Sequence, residues 1–123
     1  MAAQTELDKV GPFVALVVGD DGPQLSGEAD AIELIGQTYG TGAEVVVVPA
    51  RRLAPSFFDL STRQAGGFFQ KMQNYQLRLA IVGDIDEHVR ASTALRDFVG
   101  ETNRIGHHLF VPDRAALQAA LEG

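Results

Sequence analysis

The chain contains no cysteine. That excludes disulfides, thiolate zinc sites and thiol nucleophiles together. Basic charge is scarce: 10 Lys and Arg stand against 16 Asp and Glu, a formal net charge of −6. A nucleic-acid surface needs a basic footprint to displace counterions, and only Arg51 and Arg52 stand side by side. No apolar run approaches the ~20 residues of a membrane helix, and the opening "MAAQTELDKVGP" has no apolar core of signal-peptide length. These absences predict a cytoplasmic protein that engages neither nucleic acid nor membrane. Nucleotide signatures are missing as well: neither G-x-x-x-x-G-K-[ST] nor G-x-G-x-x-G occurs. The "GTG" at 40–42 falls between a predicted helix and a predicted strand, the wrong order for a phosphate cradle, and reads as a helix stop.

What is present is the apolar content of a packed domain. With 123 residues, 46 % of them hydrophobic, the chain reads as one domain over 1–123. Four β-branched runs, Phe13–Val18, Val45–Val48, Leu77–Val82 and Leu109–Val111, are continuous instead of alternating. Strands read that way when both faces are buried in a mostly parallel sheet. An edge strand over Glu6–Val10 is expected to join through the Gly11-Pro12 turn. Ser26 is placed to cap a helix to about Tyr39, with Glu28 and Asp30 in its first turn. Ala65, Phe68, Phe69, Met72 and Tyr75 share one helical face. A third helix over about Asp86–Val99 would bury Val89, Ala94, Leu95, Phe98 and Val99. A last one, capped by Asp113, would bury Leu117, Ala120 and Leu121. The predicted fold is α/β: a four- to five-stranded, mostly parallel sheet with about four helices.

Acids stand at two strand ends, Asp20 and Asp21 after the first long run, Asp84 and Asp86 after the third. Ligands of open α/β sheets gather beyond such ends. Turn and cap duty accounts for these acids without a metal, and no metal or cofactor is predicted. His107 and His108 fall on a predicted strand, where neighbours point to opposite faces and cannot chelate one ion, and His88 has no partner four residues on. No serine sits in a G-x-S-x-G elbow. With no nucleophile paired to a base, there is no catalytic residue to name.

One stretch is locally inconsistent. "FFDLSTRQAGGFFQK" should start a helix, yet it holds Gly66 and Gly67 in the first turns. Each interior glycine costs about 0.8–1 kcal/mol relative to alanine. Ser61 and Gln64 have capping-box spacing, which predicts that the Ser61 hydroxyl accepts from the Gln64 amide. The box leaves the glycines unexplained. Small residues there would let a strand or another protein come close, and a phosphate on Ser61 would face the positive end of the helix dipole.

The order of a strand, "RRLAPSFFDLST", a glycine-bearing helix and a further strand resembles the STAS fold of anti-sigma factor antagonists. Those proteins carry D-S-S-G at a helix start, with the second serine phosphorylated by a kinase-like anti-sigma factor. Against that motif Asp59 and Ser61 match, while Leu60 and Thr62 replace the first serine and the glycine. The resemblance implies a phospho-acceptor at Ser61 and a kinase-like protein partner. Over nearly the whole chain, "DAIELIG", "FFDLSTRQAGGFFQK" and "NYQLRLAIVGDI" resemble a bacterial family known as domain of unknown function 4180.

Two functions follow as expectations. The first is a STAS-like regulatory module contacting a protein through Asp59, Ser61, Thr62, Arg63 and Gly66. The alternative is a small-molecule or nucleotide-binding domain with its site near Asp20, Asp84, Arg51 and Arg52, beyond the strand ends. A pocket lined by those acids would favour the ligand; a shallow, apolar-rimmed patch beside Ser61 would favour the protein partner.

Overall fold

The computed structural model describes residues 5–122; residues 1–4, the head of the stretch read for a leader, and residue 123 lie outside them. Within that range the apolar runs do form one sheet. β1 (Thr5–Val10) and β2 (Phe13–Val18) make an antiparallel hairpin across Gly11-Pro12, and β2, β3 (Val45–Pro49), β4 (Arg78–Val82) and β5 (Leu109–Val111) run parallel in the order β1-β2-β3-β4-β5. The continuous apolar character of β3 follows from burial on both faces. Val46 and Val48 enter one core, Val45 and Val47 the other.

Strand order sets where the helices go. Right-handed crossovers between parallel strands that advance in one direction put every connecting helix on the same face. Accordingly α1 (Glu28–Thr38), α2 (Gln64–Asn74) and the helical β4–β5 connection supply Leu34, Phe68 and Leu95 to the core built on Val46, Val48, Leu79 and Ile81. α5 (Arg114–Glu122) follows the last strand and returns over the opposite face, where Leu117 and Leu121 pack on Val10, Ala15, Val47 and Ala80.

Four local expectations are corrected. The β4–β5 connection is two helices, α3 (Asp86–Ala91) and α4 (Thr93–Ile105), because Ser92 leaves helical geometry and its hydroxyl accepts from the Leu95 amide at 3.1 Å. Ser26 does not cap α1; Gly27 does, and Asp30 instead reaches back to accept the Ser26 amide at 2.7 Å. Tyr75 lies just past the end of α2 and is exposed, so the buried stripe stops at Met72. Ala94 and Ala120 face solvent, on helices whose core contact is narrower than the sequence period implied. Asp113 does cap α5, accepting from the Ala116 amide at 2.8 Å.

Candidate ligand cleft

β2, β3 and β4 end side by side, and the segments that follow them rise around a cleft of about 430 Å³. Pro49 and Val82, paired in register at the ends of β3 and β4, line it at the sheet edge. Asp20 comes from the segment after β2, Arg51 and Phe58 from the segment after β3, and Asp84 and His88 from the segment after β4. Three of the four residues expected from strand-end reasoning therefore line one cleft. At the β4 end Gly83 has φ +144°, and a Cβ there would sit 3.0 Å from the Ala50 side chain, so glycine lets the two segments close together. Asp84 also serves the backbone: its Oδ1 accepts from the Asp86 amide at 2.9 Å, starting α3.

Arg52, the fourth, is a correction. Named for the ligand site, it is only 1 % exposed and turned to another task. Its Nη1 donates to the carbonyls of Gly19 (2.8 Å) and Asp21 (2.9 Å), and its Nε and Nη2 donate to Pro23 (3.1 and 2.9 Å). Every acceptor is a backbone carbonyl, so the guanidinium is spent on holding the 19–23 loop. Backbone bonds finish the attachment, Leu25 N–H to Arg52 O at 2.7 Å and Ala54 N–H to Leu25 O at 2.8 Å. Arg52 thus fixes the segment that carries Asp20 without lining the cleft itself.

The Ser61 turn is built differently from the capping box. Ser61 lies in a 3-10 turn, Leu60–Thr62, and α2 starts only at Gln64 after Arg63 adopts a left-handed φ of 64°. The cap belongs to Asp59, whose Oδ1 accepts from the Ser61 amide at 3.0 Å and hydroxyl at 2.6 Å. These bonds, the hydroxyl's foremost, hold the Asp59 carboxyl below its usual range. Gln64 turns away, its Oε1 accepting from the Ser56 hydroxyl at 2.7 Å. Asp59, Ser61, Thr62 and Arg63 are exposed on and around this turn, and Gly66 is exposed in the first turn of α2. The glycines have separate reasons. A Cβ at Gly67 would lie 2.8 Å from Glu28 Cγ on α1, whereas a Cβ at Gly66 would meet nothing within 4 Å.

The histidines divide among three environments. His88 stacks on Phe58 with ring centroids 4.2 Å apart and planes 12° from parallel, forming one wall of the cleft. His107 and His108 precede β5, and their rings meet edge to face at 4.6 Å instead of pointing to opposite faces. His108 Nδ1 accepts from the Leu79 amide at 2.9 Å, which assigns the proton to Nε2, 3.1 Å from Gln73 Oε1. Burial, then the neighbouring His107 and Arg78 charges, lower its pKa to about 4. Sequence inspection missed Phe58 and His88 as a pair, because thirty residues separate partners that only the fold brings together. Among the described residues no group of three or more His, Asp or Glu gathers to hold a metal ion. No helix there is long and apolar enough to cross a membrane.

A second depression, an apolar groove of about 560 Å³, adjoins the cleft and shares Gly83, Asp84 and Ile85 with it. No curated protein and no solved structure matches this chain. The family described as Domain of unknown function (DUF4180) matches over residues 12–121, from the β1–β2 turn into α5, and the chain belongs to that family.

Proposed function

We propose that this protein is a binding domain for a small organic molecule whose polar part is held in the cleft beyond β2, β3 and β4. One observation carries the proposal: Asp20, Arg51 and Asp84, from three different strand ends, line a single concave site beside a stacked aromatic pair. Ligand sites are concave, with a few converging polar groups set in apolar walls, and Leu53, Pro55, Phe58 and Ile85 supply such walls here. An amide-resolved NMR titration of the labelled chain with a panel of polar metabolites tests the proposal. Shifts should cluster at Asp20, Arg51, Asp84 and His88 for a ligand, and Asp84→Ala should weaken that ligand at least tenfold. Shifts scattered over the surface, or none for any compound, would remove the cleft from consideration.

A second reading rests on the exposed Ser61 turn. The exposed Asp59, Ser61, Thr62 and Arg63, with Gly66 beside them on α2, and the resemblance of "DLST" to the anti-sigma factor antagonist motif support a regulatory surface for a protein partner, with Ser61 as phospho-acceptor. A phosphoserine here would stand against the Asp59 carboxylate and not at the start of α2, so it would repel Asp59 and open the turn. Intact-mass spectrometry of protein recovered from its native host tests this reading. An added phosphate mapping to Ser61 supports it; an unmodified Ser61 under all growth conditions counts against it.

A further inference from the structure

On the premise that the cleft is a ligand site, we infer that its ligand is an aliphatic amphiphile with a basic head, the head in the cleft and the chain in the adjoining groove. The two depressions adjoin: the Gly83–Ile85 segment borders both. Beyond it the groove is walled by Val89 of α3, Val99 of α4, and Phe110 and Val111 of β5. The break at Ser92 matters here, since it lets α3 and α4 each contribute one wall.

Carboxylates outnumber cations along both depressions. Around them stand three carboxylates, Asp20, Asp84 and Asp86, against one guanidinium, Arg51. None of these four belongs to an ion pair among the described residues. A wholly polar ligand would leave the half-buried Val89, Val99 and Val111 in contact with water. A wholly apolar one would strip water from carboxylates and offer nothing in return. A chain ending in an ammonium group satisfies both ends, its head between Asp20 and Asp84 and its methylenes passing Ile85 toward Val99.

The test is calorimetry with NMR titration of the full chain, using butylamine, hexylamine and octylamine below their aggregation limits, with octanol and octanoate as head-group controls. Affinity should rise about fourfold per methylene while the chain fills the groove. Octylamine should shift both Asp20 and Val99 amides and should bind at least tenfold more tightly than octanol or octanoate. Val99→Asp should abolish the chain-length gain and leave butylamine binding intact. Asp84→Asn, a rim change, should weaken octylamine at least tenfold and leave octanol unchanged. Equal affinity for butylamine and octylamine, octanoate binding as tight as octylamine, or shifts restricted to one depression would overturn the inference. The cleft proposal survives those outcomes if polar metabolites still shift Asp20 and Asp84. If neither the amines nor any metabolite perturbs the cleft residues, both fail.

Discussion

Gly22 and Arg52 interlock: a Cβ placed on Gly22 would lie 2.7 Å from Arg52 Nη2, and Gly22 itself holds a φ of +141°. The loop wraps the guanidinium closely enough that only glycine fits, and the guanidinium in turn bonds the carbonyls on either side of it. Gly22→Ala meets both a steric and a conformational obstacle and should cost about 1–3 kcal/mol. Arg52→Lys keeps the charge and loses the fork, so it should destabilise the fold and speed hydrogen exchange of the Leu25 amide. Chemical denaturation and amide exchange check both; parent-like exchange at Leu25 in Arg52→Lys would show that the loop is held by other means.

Gly66 and Gly67 should respond in opposite ways to alanine. At Gly66 nothing lies within 4 Å of the new methyl, so relief of the helix penalty should stabilise the protein by about 0.5–1 kcal/mol. At Gly67 the methyl meets Glu28, which must swing aside, and the gain should be cancelled or reversed. Thermal melts of the two variants settle the contrast.

Ser61→Ala should change stability by less than about 0.5 kcal/mol, the range of exposed positions. The hydroxyl donates to an exposed carboxylate and satisfies no helix amide. A loss of 1 kcal/mol or more, the size of a true N-cap, would show that Ser61 caps α2 in solution.

Phe69 is the centre of the aromatic core, with ring centroids 5.4 Å from Phe98, 5.6 Å from Phe110 and 5.2 Å from His108. Phe69→Ala should cost about 3–5 kcal/mol, a large share of a small domain's stability. A urea-denaturation loss under 1 kcal/mol would contradict this packing.

His108 predicts a pH dependence. Its folded pKa, about 4, lies below the ordinary 6.5. Between those values the unfolded chain binds a proton that the folded chain refuses, so stability rises with pH through this window. The contribution is full above about 6.5 and is lost as pH falls toward about 4. His108→Gln should flatten the stability profile between those limits, measured by denaturation at several pH values against the parent. An unchanged slope would place the acid sensitivity elsewhere, and His107, also lowered by burial, would be the next to test.

Periodicity is a local property, and it determined the strands, the order of elements and most of the buried face of α2 directly from the sequence. Strand-end reasoning also picked out Asp20, Arg51 and Asp84, because a residue that follows a parallel strand must emerge at that strand's carboxyl edge whatever the rest of the chain does. The tertiary structure decided what depends on partners far along the chain. Arg52 looks like any loop arginine until the 19–23 carbonyls, about thirty residues earlier, surround it. Ser61 has the spacing of a cap, but its hydroxyl donates to Asp59 two residues away, and the Gln64 amide donates to Thr62 Oγ1 instead. His88 meets Phe58, and the groove meets the cleft, only because consecutive parallel strands end at one edge and bring their loops together. Spacing along the chain carries local geometry; which loop faces which is set by strand order and crossover hand, and these exist only once the sheet has formed.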